Sequence, residues 1–252
     1  MKVLIESHGP VWTVIINRPE VRNAVDPETA RLLRDAFDAF EDDAEARVAV
    51  LTGAGGTFCS GFDLTAVGDA AYDPEDPDGP MGPTRRLLDK PVIAAVEGHA
   101  VAGGLELALW CDMRVASRSA VFGVLCRRWG VPLIDGGTVR LPRVVGHGRA
   151  MDMILTGRPV GPDEALIFGL IDRLYPEGQA REKAEALAHD IAEFPQLCLQ
   201  ADRRSAHTQW GAGSLTDALK AEARGGVEPL RLEGLDGARR FAGGAGRGGA
   251  AD

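Results

Sequence analysis

Residues 90–117, KPVIAAVEGHAVAGGLELALWCDMRVAS, constrain the fold more than any other stretch of the chain. The apolar runs KPVIAAVEG (90–98) and DMRVAS (112–117) read as strands, and the segment 103–110 between them has helical spacing. That helix opens on Gly103 and Gly104, and its Leu105, Leu107, Ala108, Leu109 and Trp110 must be largely buried. Glu106 stands in the middle of this run. Burying an ionised carboxylate in an apolar setting is costly unless it is paired, and burial raises its pKa. Stability alone does not favour a glutamate there. Its ordinary role would be a first-turn acid that favours the helix dipole and reaches solvent, but the apolar residues on both sides weaken that reading.

The same alternation extends along the chain. VWTVIIN (11–17) is a β-branched strand that stops at Arg18-Pro19, and RVAVLTG (47–53) is a short buried strand. DPETARLLRDAFDAFEDD (26–43) predicts a helix with Asp26 as N-cap and Pro27 at its first position, with Ala30, Leu33, Phe37 and Phe40 at helical spacing. Helical periods recur at 137–145, 148–156, 162–168 and 180–193. Strands with intervening helices imply an α/β layered fold with right-handed crossovers. From about residue 195 the chain reads as helical, so we expect a core over 1–194, a C-terminal helical region over 195–242 and a disordered Gly/Ala tail over 243–252. AVGDAAYDPEDPDGPMGP (66–83) is a long Pro-, Gly- and Asp-rich loop between strands, and such a loop reads as a lid over a site.

A net charge of −9 excludes a nucleic-acid surface, which would want a basic face. The four cysteines, Cys59, Cys111, Cys126 and Cys198, show no C-x-x-C spacing, which argues against a disulfide framework or a zinc site and for a reducing, cytoplasmic setting. The N-terminus lacks a signal-peptide pattern, and no segment approaches the roughly 18 apolar residues of a membrane span.

TGAGGTFCSGFDL (52–64) follows a strand, yet it fits neither G-x-G-x-x-G nor a P-loop, and Ser60 is not in a G-x-S-x-G context. What it offers is backbone N–H groups at a strand end. AVAGGLEL offers a second such place at a helix N-terminus. Two donors from two glycine-rich turns can converge on one oxygen, an oxyanion hole in which each donor contributes ~3 kcal/mol. Both can equally be tight strand-to-helix turns.

These residues resemble the crotonase, or enoyl-CoA hydratase/isomerase, superfamily. The resemblance rests on NRPEVRNA (17–24), GTFCSGFDL (56–64), residues 90–117, GGTVRLPRVVG (136–146), MILTGRPVGPDEALIFGLIDRLYP (153–176) and EGLDGARRF (233–241), in the family's order. It implies a superhelix of ββα units with a C-terminal helical subdomain, a homotrimer or hexamer, and acyl-CoA thioester substrates in which coenzyme A is part of the substrate. No metal or further cofactor is implied. The oxyanion hole would be the N–H groups of Phe62 and Gly103, and Glu106 would act in acid/base chemistry on the acyl chain. Arg22, Ala24, Ser60, Gly61, Asp63, Leu64, Cys126, Trp129 and Arg240 would contact the acyl group or its coenzyme A.

The family's hydratases carry a second glutamate that aligns with Cys126. A thiol of pKa ~8.5 is a poor substitute for it, and Asp135 is the nearest replacement acid unless it is merely the N-cap of the following helix. The implied activity is hydration or isomerisation of an enoyl thioester. Thioester hydrolysis, dehalogenation and a non-catalytic acyl-CoA binder remain as alternatives.

Overall fold

The apolar runs lie side by side in one sheet. A computed structural model describes residues 1–68 and 73–245. Its strands are β1 (Val3–His8), β2 (Val11–Ile16), β3 (Val48–Gly53), β4 (Val92–Val96), β5 (His99–Val101), β6 (Met113–Ser117), β7 (Val121–Gly123) and β8 (Arg173–Tyr175). Among the described residues they form a six-stranded sheet in the order β1-β2-β3-β4-β6-β8 and a two-stranded sheet of β5 and β7. β1 pairs antiparallel with β2, and the remaining ladders are parallel.

Parallel neighbours need crossovers. The helix α1 (Pro27–Asp42) supplies one between β2 and β3, and α2 (Gly103–Trp110) lies in the connection between β4 and β6. α1 buries Leu33, Phe37 and Phe40, and the Phe37 ring meets Trp110 of α2 edge-on at 4.8 Å. Each such side chain stabilises the fold by roughly 1.5–3 kcal/mol through burial. All eight residues of α2 are buried, Glu106 among them at 2% exposure. The helical periods further on form α3 (Gly137–Val145), α4 (His147–Thr156), α5 (Pro162–Phe168) and α6 (Ala180–Ala192).

Asp26 caps α1 as its position suggests: its Oδ1 accepts from Thr29 N at 2.8 Å, and its Oδ2 pairs with Lys2 at 2.6 Å. Burial pushes this carboxyl up, but the Lys2 ammonium, the Thr29 donors and the Arg18 charge outweigh it and hold it at about 2. Asp26→Ala is therefore expected to cost about 1 kcal/mol at neutral pH, the usual effect of an N-cap. Because the folded pKa lies below the ordinary 3.8, that contribution is complete above the ordinary value and fades as pH falls towards 2. Denaturant unfolding at pH 7 and pH 2.5 checks this; an equal difference between wild type and variant at both would refute it.

The chain divides into two compact units, Met1–Ile191 and Ala192–Asp252. The second contains α7 (Gln196–Thr208), α8 (Leu215–Pro229) and α9 (Leu235–Ala242), with one π-helical turn at Leu230–Gly234. Within it the Glu233 carboxylate accepts from Leu197 N at 3.1 Å and Cys198 N at 2.8 Å, which satisfies donors at the start of α7. Leu215, Leu219, Val227, Leu230 and Phe241 are exposed on its helices. No helix among the described residues is long and apolar enough to cross a membrane.

One expectation needs correction. The end of the supposed lid at 66–83 is built into the fold: Gly79 and Gly82 exchange backbone hydrogen bonds at 3.0 and 2.8 Å, and Met81 and Thr84 are buried. Asp78 is held by Arg34 at 3.2 Å and Arg86 at 2.5 Å. Of the loop, residues 69–72 lie outside the described residues, as do 246–252 of the tail expected to be disordered.

Candidate active site

Two turns meet at the N-terminal end of α2. Ala102 immediately before the helix takes φ +53°, ψ −125°, a conformation that costs a non-glycine residue roughly 1–3 kcal/mol and persists only where its surroundings enforce it. On the other side, Val25 N donates to Gly61 O at 2.9 Å and Asp63 N to Val25 O at 2.8 Å. That bridge uses the peptide groups flanking Phe62, so Phe62's own N–H and C=O face the opposite way. Gly61, at φ +105°, lets the two turns touch: a Cβ there would stand 3.0 Å from Gly103 N.

Beside this junction is a cavity of about 570 Å³. Phe62, Gly103, Glu106 and Asp135 line it, together with Ser60, Leu64, Cys126 and Trp129. Met81, Val131 and Ile134 add apolar wall. Eight of the expected site residues thus share one space. Trp129 is on its open side, 72% exposed.

The other five lie elsewhere. Gly61 supports the junction from behind. Asp63 turns back on its own loop, accepting from Thr65 N at 3.1 Å and pairing with Arg18 at 3.2 Å. The Ala24 carbonyl accepts from Arg18 Nη1 at 2.5 Å, and the exposed Arg22 contributes its carbonyl to Ser60 N at 3.0 Å. These three frame the cavity and are not part of its wall. Arg240 lies in the second unit, exposed on α9 and 3.8 Å from Asp236.

Glu106 does not reach solvent. Its Oε1 accepts two backbone donors, Asp135 N at 2.9 Å and Gly137 N at 2.8 Å, so it satisfies the first N–H of α3. Burial and the Asp135 charge push its carboxyl up to about 7, against the pull of those two donors and of Arg140. Asp135 is not a helix cap either: Gly136 occupies the N-cap of α3, with no side-chain cap. The Asp135 Oδ1 instead accepts from Met81 N at 3.0 Å and from the Thr84 hydroxyl. Burial raises this carboxyl too, opposed by those two donors and by Arg85 and Arg140. The Cys126 thiol is raised by burial and then by the Glu106 charge, so it holds less thiolate at neutral pH than a free cysteine.

Arg140, Thr84 and Met81 support the two carboxylates and do not stand out in the sequence. Arg140 reads as an ordinary polar helix position, and the partners of Asp135 are 54 and 51 residues away along the chain. Among the described residues no group of three or more His, Cys, Asp or Glu could hold a metal ion. Chemically, the cavity pairs a helix N-terminus, favourable to negative charge, with a carboxyl that changes protonation near neutral pH.

Comparison with known proteins is consistent with this geometry. The family model for enoyl-CoA hydratase/isomerase matches residues 6–231. The enoyl-CoA hydratase EchA19 of Mycobacterium tuberculosis is 38% identical over 247 residues, covering 95% of this chain and 92% of that protein. A carnitinyl-CoA dehydratase of Salmonella typhi is 37% identical over 202 residues, 77% of this chain and 76% of that one. The crystal structure of the enoyl-CoA hydratase EchA1 of Mycobacterium marinum superposes with a TM-score of 0.90 at 36% identity, covering 96% of this chain and 95% of the other.

Proposed function

The chain belongs to the enoyl-CoA hydratase/isomerase family and has its crotonase fold, and from that premise we propose that it is a cytoplasmic enzyme converting acyl-CoA thioesters through a thioester enolate. The observation that carries this reading is Glu106, buried, fixed through Oε1 by two backbone donors and facing the cavity beside Gly103. The thioester carbonyl oxygen accepts from the N–H groups of Phe62 and Gly103, which hold the negative charge that develops on it. Glu106 then moves a proton at the acyl chain. With its carboxyl at about 7, both protonation states are populated at neutral pH, which suits an acid/base group.

Asp135 is the second carboxylate, and Ser60, Leu64, Cys126 and Trp129 surround the acyl group. Arg22, Ala24, Gly61 and Asp63 act as the frame of that subsite, and Arg240 contacts the coenzyme A bound to a neighbouring subunit of the assembly. Coenzyme A belongs to the substrate, and no further cofactor takes part.

Cys126 in the wall favours proton transfer over hydration, because adding water requires a group to hold or deprotonate it as well as one to protonate the α-carbon. Wild type is expected to exchange the α-protons of a saturated acyl-CoA in deuterated water while hydrating crotonyl-CoA slowly. Cys126→Glu is expected to raise hydration where the wall admits the longer side chain. Exchange by NMR and hydration by absorbance, run on a panel of enoyl, branched and aromatic esters, test both. Absence of turnover on every ester would overturn the enzymatic reading, and fast hydration by wild type would mean that Asp135 or an ordered water supplies the missing acid.

The exposed apolar side chains of α8 and α9 support assembly into a trimer or a dimer of trimers. Native mass spectrometry at micromolar concentration is expected to show those species, and a purely monomeric spectrum would exclude them.

A further inference from the structure

Arg140 is a half-buried cation beside the two carboxylates, and its hydrogen bonds go to backbone carbonyls: Nη1 donates to Asp135 O at 3.0 Å and Nη2 to Thr84 O at 2.6 Å. Those two residues are already joined, since the Thr84 hydroxyl donates to the Asp135 carboxylate. The guanidinium therefore ties the start of α3 to the segment that fixes Asp135. Gly136, at φ +93°, leaves room for it: a Cβ there would come within 3.0 Å of the guanidinium carbon. A planar fork can hold two carbonyls at once, which an ammonium on a flexible stem cannot do in the same geometry.

We propose that Arg140 is the positioning residue of this site, clamping Asp135 beside Glu106 through the two carbonyls and placing a positive charge next to the pair. The inference rests on the acyl-CoA reading for its kinetic part only. The charged and titratable groups around the pair and its arginine are Glu106 from α2, Cys111 immediately after that helix, Asp135 itself, Cys126 from the turn at Leu125–Trp129, Arg85 from the turn at Pro83–Arg85, and Arg140 and Arg143 from α3. Of the two arginines that favour the ionised form of Asp135, Arg140 alone is also coupled to Glu106 in this direction. Without it, the two carboxylates face each other across a poorly solvated space, and the proton is held to higher pH.

The test uses the full-length chain with carboxyl carbons labelled with ¹³C, the Glu106 and Asp135 signals assigned through Glu106→Gln and Asp135→Asn. In Arg140→Gln the titration midpoint of the pair is expected to rise by about one pH unit, the lower end of the effect of a nearby opposite charge. In Arg140→Lys, which keeps the charge, the midpoint is expected to stay put while kcat for α-proton exchange falls about tenfold with KM unchanged, because the two-carbonyl clamp is lost. An unmoved midpoint in a folded Arg140→Gln overturns the charge role. If that variant does not fold, Arg140→Lys decides: kcat within twofold of wild type overturns the positioning role. Should wild type turn over no CoA ester, the functional reading fails, while the ¹³C titration still tests Arg140.

Discussion

Glu106→Gln is expected to lower turnover of any CoA ester the enzyme accepts by ~100-fold or more, the usual reach of one general acid/base group. The substitution is close to isosteric. A glutamine Oε1 can still accept from Asp135 N and Gly137 N, so the loop before α3 and the start of that helix keep their partner. What is lost is the second oxygen, replaced by an amide nitrogen that neither takes nor delivers a proton at neutral pH. KM should change little. Steady-state exchange and hydration rates on the best ester of the panel read this directly, and activity within a few-fold of wild type would make Glu106 a purely structural cap and Asp135→Asn the next variant to measure.

The same substitution is expected to stabilise the protein above neutral pH. The Glu106 carboxyl sits at about 7 in the folded chain against an ordinary 4.5. The folded state therefore holds this proton more tightly than the unfolded state does. Its contribution is fully present below pH 4.5 and is lost as pH rises through 7, a fall on the order of 3 kcal/mol. Glutamine has no proton to lose. Denaturant unfolding should show wild type losing stability between pH 5 and pH 8 relative to Glu106→Gln, with the variant the more stable of the two at pH 8, by up to ~3 kcal/mol. If the variant were less stable at pH 8, the two backbone donors would need a full negative charge, contrary to this account. In the expected outcome, activity and stability move in opposite directions on one atom change, as befits a group retained for chemistry.

The central strands and α1 are readable in the sequence because burial on both faces writes continuous apolar runs, as in VIAAV of β4, and because Asp26-Pro27 marks a helix start in local chemistry. β1 is missed for the opposite reason: as an edge strand it alternates with exposed residues and carries Glu6, Ser7 and His8. β5, β7 and β8 span three residues each, too few for any period to register. In the site, Glu106 is detectable because a carboxylate in an apolar helix is anomalous. Asp135 is ambiguous, since an aspartate before two glycines looks like a cap, and only tertiary contacts send its side chain to Met81 and Thr84. The Pro/Gly/Asp composition of 66–83 likewise conceals Met81, whose environment is set by partners far along the chain.

The anchoring of residues 79–84 bears on attempts to retarget the enzyme. Leu64 and Val67 line the cavity from the segment before this anchored stretch, whereas Met81 belongs at once to the cavity wall and to the support of Asp135. Libraries that vary Leu64 and Val67 can reshape acyl preference with the proton-transfer machinery left in register. Libraries that reach past Asp78 change both together, so that a variant selected for a bulkier acyl group would lose its rate along with its old substrate.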